Sequence, residues 1–301
     1  MVAALAGSFV SLAALPAAKR PIDRVTVVIV NYNSGAWLLR CVRTLRGNGS
    51  ESPAVEVIDN DSDDGSSERL ADLPGVRVRR SPRNLGFARG VNTAARAVQT
   101  EFLLVINPDC LLVPEALKVL IADIDAHPDA GLVSGRVFDM SGNEQRGSRR
   151  RLPTRRRLLE ELLPWRRRTG VDLTHLPAPD KAGEVEAVSG ACMLLRRRAF
   201  LEVGGLDKHY PMHFEDLDLM ARLSAAGWSI RLLPDVIVSH AGGVSSRSRP
   251  LRVMWNKHRG LWRYLNQHPE PPWPWWSRAL WWLGIQVHAV LMTPVALWRR
   301  R

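Results

Sequence analysis

Cysteine is scarce in this 301-residue chain: Cys41, Cys110 and Cys192 are all it has, far apart and odd in number. No disulfide framework can be built on them, and no Cys/His spacing matches a zinc finger. Such lone thiols, with Cys110 and Cys192 expected to be buried, suit a reducing cytoplasm. Acidic residues are also the minority. Asp and Glu number 30 against 42 Lys and Arg, a formal net charge of +12, and nearly all the basic residues are arginine. The aromatic–basic interleaving of RNA-binding proteins is missing, so no nucleic-acid partner is expected. The charge points instead to another anion, a phospholipid face or a lipid pyrophosphate. Internal repeats are absent.

Long uncharged runs occur only near the two ends. Residues 2–18 are mostly apolar and finish in Leu15-Pro16-Ala17-Ala18 before Lys19-Arg20. That resembles a signal-peptide core, but no basic residue precedes it. We expect a poorly ordered extension over 1–23. Residues 279–298 carry no formal charge and are flanked by Arg278 and Arg299-Arg300-Arg301. About 20 such residues reach the length of a membrane span. Gln286, His288 and Pro294 argue against spanning, while Trp273, Trp275, Trp276, Trp281, Trp282 and Trp298 suit a headgroup boundary. The expectation is a Trp-rich amphipathic or membrane-associated helix within a C-terminal region, 249–301.

Between the ends lies enough apolar sequence for a large core. Residues 24–30 form a β-branched run, as a buried parallel strand requires. Further strands are expected at 54–58, 76–78 and 102–106, with helices at 37–45, 67–73, 87–98 and 114–126 between and after them. This alternation predicts an α/β fold with a doubly wound, mostly parallel sheet and flanking helices. Ligands of such sheets bind beyond the carboxyl ends of the strands. Residues 141–182 are rich in Arg, Pro and Gly, and predict a mobile acceptor-side segment. A strand over 185–195, a helix over 215–226 and a last strand at 230–233 complete one domain, 24–248.

Polar groups gather where apolar strands end. Asn31-Tyr32-Asn33-Ser34-Gly35 closes the first strand. Asp59 closes the second and opens a polar run to Ser66. A carboxylate there can accept the imide N–H of a uracil or thymine ring or hold a ribose hydroxyl; a helix-capping turn would use the same residues. Asn84-Leu85-Gly86-Phe87-Ala88-Arg89 opens a helix, where Gly86 permits close backbone approach and Arg89 can face phosphate. Asn107-Pro108-Asp109 follows the fourth strand, and Asp109 suits a hard divalent cation bridging two phosphates. Glu215-Asp216-Leu217-Asp218 starts a helix; Glu215 or Asp216 could take a proton from an attacking hydroxyl, or merely complement the helix dipole. His240, at a strand end before two glycines, can be a further metal ligand beside Asp109.

Taken in order, these segments, with Val28-Ile29-Val30-Asn31-Tyr32-Asn33 and Ser189-Gly190-Ala191, resemble the family 2 glycosyltransferases of GT-A fold. The likeness is strongest to the bacterial rhamnosyltransferase branch and runs from about Val25 to Ser246. It implies a hexosyltransferase that inverts the sugar it moves. The nucleotide-sugar site would comprise Asn31, Asn33, Asp59, Asn84, Gly86, Arg89, Asn107 and Asp109. Asp109 and His240 would bind Mg or Mn, with Asn107 standing where a full Asp-x-Asp has its first acid. Asp216 would be the base, with Glu215 beside it. The implied donor is dTDP-L-rhamnose, with another UDP- or dTDP-sugar as the alternative. The implied acceptor is a polyprenyl-diphosphate-linked or cell-surface glycan, met at the cytoplasmic face of a bacterial inner membrane. A catalytically inactive assembly subunit is a further alternative. A sugar nucleotidyltransferase would need a Gly- and Arg-containing loop where Asn31–Gly35 stands.

Overall fold

The computed structural model describes residues 20–47, 52–162, 170–243, 250–268 and 273–298. Most of the extension expected over 1–23 therefore lies outside the described residues. Its last part does not hang free: Pro21–Arg24 form a 3-10 turn whose Ile22 is buried in the core.

The chain then builds β1 (Val25–Asn31), α1 (Ala36–Arg46), β2 (Ala54–Asp59), β3 (Val76–Arg80), α2 (Phe87–Ala97), β4 (Phe102–Ile106), β5 (Cys110–Leu111) and α3 (Pro114–Ala126). It continues with β6 (Ala130–Phe138), β7 (Arg149–Arg150), α4 (Arg155–Leu162), β8 (Gly183–Glu184), β9 (Ala187–Val188) and β10 (Cys192–Arg196). Last come α5 (Arg197–Glu202), α6 (Glu215–Ala225), β11 (Ser229–His240), α7 (Pro250–Gln267) and α8 (Trp275–Trp298).

The main sheet runs β3-β2-β1-β4-β10-β6-β11-β5, with β8 on β11. β1 pairs in parallel with both β2 and β4, which is why its whole length is apolar up to Asn31 and wholly buried. Alternate residues feed two cores. Val25, Val27 and Ile29 pack with α1 and α3, whereas Val28 and Val30 pack with α2, α5 and α6. The chain reverses its winding between β1 and β4, so their carboxyl ends open a crevice at the switch point. β10 runs antiparallel between β4 and β6, giving the second half of the sheet mixed directions.

Several expectations are sharpened. The single strand expected over 185–195 is two, β9 and β10, parted by the Ser189-Gly190-Ala191 turn. The helix expected over 67–73 is only the 3-10 turn Glu68–Leu70. β6 carried no expectation, whereas α7 falls in the region 249–301 expected to be helical. Segment 141–162 with 170–182 is laced by charge pairs rather than by an apolar stripe, hence its weak periodicity. β7 pairs with β9, and the Arg149 guanidinium bonds both Glu144 oxygens and the carbonyls of Leu176 and Pro177.

The proposed boundary at 248 cuts through a packed unit. α7 docks on the catalytic domain: Tyr264 is 2% exposed, Arg263 Nη2 meets Asp207 Oδ2 at 2.6 Å, and His268 Nε2 meets Asp218 Oδ1 at 2.9 Å. α8 lies on α7 through Ile285, Ala289 and a His258–His288 contact of 2.9 Å. Its other faces hold exposed Trp275, Trp276, Leu280, Trp282, Leu283, Val290 and Leu291. Among the described residues no helix is long and apolar enough to cross a membrane.

Candidate active site

Asn31, at the end of β1, is wholly buried. Its Nδ2 lies 2.8 Å from Asp59 Oδ2, 2.8 Å from Ser66 Oγ and 3.1 Å from both Ser62 Oγ and Ser67 Oγ. Asp59 Oδ1 accepts the Ser62 N–H at 2.8 Å, and the Ser67 hydroxyl donates to Oδ2. Burial works against ionising Asp59, but these N–H and O–H donors outweigh it and hold the carboxyl below its ordinary value. Asn33, with a left-handed φ of 49°, accepts the Asp63 N–H and donates its own N–H to Ser62 Oγ. Asp64 Oδ2 receives the Gly35 N–H at 2.7 Å. The loops after β1 and β2 are thereby one polar platform. Asn31 Oδ1 and Ser34 Oγ are buried in it without partners, acceptors that a polar ligand can use.

Asn60 extends the platform to the helix-opening loop. Its N–H donates to the Asn31 carbonyl at 2.8 Å and its Nδ2 to the Gly86 carbonyl at 3.3 Å. Gly86 takes φ 82° at the start of α2, and Asn84 Oδ1 caps its N–H at 2.9 Å. Arg89 lies exposed on the first turn of α2, and its side chain joins none of the described networks.

The second cluster lies at the ends of β4 and β11. His240 Nε2 is 3.2 Å from Asp109 Oδ1 and 3.5 Å from Asn107 Nδ2. Gln145 fixes the ring. Its Nε2 donates to the His240 carbonyl at 2.7 Å, so its Oε1 faces His240 Nδ1 at 2.9 Å and Nδ1 carries the proton. Nε2 then aims a lone pair at the same point as the Asp109 carboxylate. Two such donors 3.2 Å apart suit neighbouring positions on one cation with bonds of about 2.1 Å. Cys110 also lies within 4.8 Å of this pair. Burial pushes its thiol up, and the thiol donates to the Ala191 carbonyl, so it is no ligand for a hard cation. Asp109 and His240 therefore fit a divalent metal.

The third cluster is joined to the second through the turn between β9 and β10. The Asn107 N–H donates to the Ala191 carbonyl, and the neighbouring Gly190 N–H donates to Asp216 Oδ2 at 3.1 Å. Asp216 Oδ2 also takes Arg150 Nη2 at 2.5 Å, while Oδ1 accepts the Leu217 N–H at 2.9 Å. Burial alone would raise the Asp216 carboxyl; the charge and hydrogen bond of Arg150 hold it below its ordinary value instead. Glu215 has no such cation. Its burial, and then the Asp216 charge, hold it well above the carboxylate range, and its Oε2 is buried without a partner. His213 and Phe214, just before, have left-handed φ of 66° and 72°. Strain of about 1–3 kcal/mol at each is usual where a turn aims functional groups.

The platform of Asn31, Asn33, Asp59, Asn84 and Gly86, the pair Asp109–His240 with Asn107, and the pair Glu215–Asp216 thus line one rim of the sheet. Sequence reasoning did not single out Gln145, Arg150, Asn60 or His213 for a role here. Asn60 sat in the polar run that Asp59 opens and Arg150 in the Arg-rich stretch 141–182, whereas Gln145 carried no signal.

Comparison with known proteins agrees with this architecture. The profile of glycosyl transferase family 2 matches residues 26–204, more than half the chain. The chain belongs to glycosyl transferase family 2, and it is a glycosyltransferase enzyme. A relative in Mycobacterium tuberculosis, the N-acetylglucosaminyl-diphospho-decaprenol L-rhamnosyltransferase, is 27% identical across 93% of this chain and 96% of its own. The pre-mycofactocin glycosyltransferase of the same species is 28% identical across 72% of this chain and 42% of its own. Among solved structures, a mannosyltransferase from Pyrobaculum calidifontis in complex with GDP-Man and Mn2+ superposes with TM-score 0.56, at 17% identity, over 92% of this chain and 72% of that one. GalNAc-T7 with UDP, GalNAc and Mn2+ gives 0.54, at 16% identity, over 72% of this chain and 43% of that one. Identity this low speaks for the GT-A fold alone.

Proposed function

We propose that this enzyme transfers L-rhamnose from dTDP-L-rhamnose onto a hydroxyl of a polyprenyl-diphosphate-linked sugar, with inversion. The observation that carries it is the alignment of three clusters on one rim: a polar platform with orphaned acceptors, an Asp109–His240 pair, and an acidic pair at the start of α6. The near full-length likeness to the mycobacterial rhamnosyltransferase supports the choice of sugar and acceptor. Another UDP- or dTDP-sugar is the second reading of the donor, because the platform bonds presented by Asn31 and Asp59 suit either pyrimidine.

The nucleotide lies on the platform of Asn31, Asn33, Asp59, Asn84 and Gly86, and Arg89 on α2 can swing to phosphate. Asp109 and His240 would hold Mn2+ or Mg2+. When bound, the cation neutralises charge on the departing diphosphate. The acceptor hydroxyl attacks the anomeric carbon as the carbon–oxygen bond to the diphosphate breaks. Asp216 takes the hydroxyl proton, and the nucleoside diphosphate leaves. No covalent nucleophile is needed.

The exposed Trp- and Leu-rich faces of α8 support contact with the cytoplasmic face of a bacterial inner membrane, as an interfacial helix rather than a span. The test is a panel of dTDP- and UDP-sugars, with and without Mn2+, on wild type and Asp216→Asn. The expected result is one preferred donor, bound more tightly with metal and turned over only by wild type. If no nucleotide sugar binds, the inactive assembly-subunit reading takes its place.

A further inference from the structure

A base needs an oxygen lone pair open to the hydroxyl it deprotonates. Asp216 does not offer one freely. Oδ2 is held by Arg150 Nη2 and the Gly190 N–H, and Oδ1 by the Leu217 N–H. Arg150 also stabilises the anion, which weakens it as a base. The arginine comes from β7, in the basic segment that precedes β8. Its described neighbours in that segment are engaged elsewhere: Arg146 with Glu161, Arg149 with Glu144, Arg156 with Glu160 and Arg157 with Glu186. Arg150 differs from these four in that its carboxylate partner is the expected base. Its other acceptor is the backbone carbonyl of Val188.

We propose that Arg150 is a latch on Asp216, released by a phosphate group of the acceptor. Guanidinium binds phosphate in a two-pronged fashion, with more charge to meet than one carboxylate oxygen supplies. A sugar diphosphate carries its first phosphate one pyranose ring from its free hydroxyls. A group bonded directly to the base is placed to reach that phosphate while the hydroxyl faces Asp216. Seating a glycosyl diphosphate therefore transfers Arg150 from Asp216 to phosphate and leaves the carboxylate free to accept the proton. An uncharged acceptor leaves the latch closed. The groups that also face this carboxylate, Glu215 and His213 on its own turn, carry no positive charge that could replace Arg150; Lys257 of α7 faces His213. The inference rests on the transferase reading and adds to it a charge requirement for the acceptor, whether the diphosphate is carried by a lipid or by a soluble tail.

The test uses the full chain and two synthetic acceptors, an alkyl-diphospho-GlcNAc and an uncharged alkyl GlcNAc, with wild type, Arg150→Gln and Arg150→Lys. Wild type should prefer the diphosphate acceptor in kcat/KM, within the range of about 5- to 150-fold expected of coupled sites. Arg150→Gln should lose that preference by raising kcat on the uncharged acceptor, and the acidic limb of its pH–kcat profile should move to higher pH. Gain on the poorer acceptor is not what a merely structural arginine would produce. Arg150→Lys keeps the charge without the two-pronged grip and should fall between; it decides the matter alone if the glutamine variant fails to fold. Equal loss on both acceptors, or an undiminished preference in Arg150→Gln, overturns the latch. Binding of dTDP and UDP is measured in parallel: wild type that binds neither removes the transferase reading, and the latch with it.

Discussion

Gln145 grips His240 at both ends, donating to its carbonyl at 2.7 Å and accepting from its Nδ1 at 2.9 Å. Turning the ring over breaks its Nδ1 bond to an amide that the His240 carbonyl holds in orientation, so Nε2 stays aimed beside Asp109. Partners of this kind typically contribute 10- to 100-fold to metal affinity. Gln145→Leu should weaken Mn2+ binding by roughly that factor while leaving metal-free dTDP binding in place. Titration of Mn2+ followed by electron paramagnetic resonance measures it.

Asn107 stands 3.5 Å from His240 Nε2 through its amide nitrogen. Replacing it by Asp adds a carboxylate where the chain has a neutral amide. Affinity for hard cations rises with ligand charge, so Asn107→Asp should tighten Mn2+ binding roughly tenfold, and Asp109→Asn should abolish it. Calorimetry on the two variants, with chelator-treated wild type as reference, separates these outcomes.

Gly190 has no room for a side chain. An added Cβ would lie 2.7 Å from Asp216 Cβ and 2.8 Å from its Oδ2. Gly190→Ala should therefore displace the proposed base by about an ångström, and a misplacement of that size can cost on the order of 100-fold. We expect kcat to fall by that order with donor affinity unchanged, as stopped-time transfer and equilibrium binding assays would reveal.

His213 is pushed down to about 4 by burial first and by the Lys257 and Arg150 charges next, against the pull of Asp216. The fold thus disfavours the protonated ring. Its contribution to stability is present above the ordinary value of 6.5 and is lost as pH falls from there towards about 4. Melting temperature should drop through that window in wild type, and the drop should be shallower in His213→Gln. Calorimetric scans across the window test this. A variant curve parallel to wild type would assign the loss to other groups.

The parts of the molecule that were legible in its sequence are those where one local rule suffices. β1 and β4 are continuous apolar runs, and β2 is broken only by the buried Glu56, because each is covered on both faces; Asn31, Asp59 and Asn107 mark where the apolar runs give way to polar groups. β6 escaped notice because Gly131 and Gly135 interrupt its pattern. Those glycines belong to close packing: an added Cβ at Gly131 would lie 2.8 Å from Trp228 Cβ. Gln145 and Arg150 were invisible for another reason. Their partners are 95 and 66 residues away in sequence, and nothing near either residue encodes such a distance. A polar residue in an Arg-, Pro- and Gly-rich stretch reads as surface until the fold brings its counterpart to it.

Gly260 of α7 faces the strained turn ahead of the acidic pair so closely that a Cβ there would meet the His213 carbonyl at 2.9 Å and the Phe214 ring at 3.1 Å. The helix that follows residue 248 is therefore the back wall against which the proposed base is braced. A chain ended at residue 248 would lose that brace, and with it turnover on soluble acceptors that never touch a bilayer. At the lipid surface proposed for it, force applied to α8 would have a short mechanical route, through α7, to the residue proposed to take the proton.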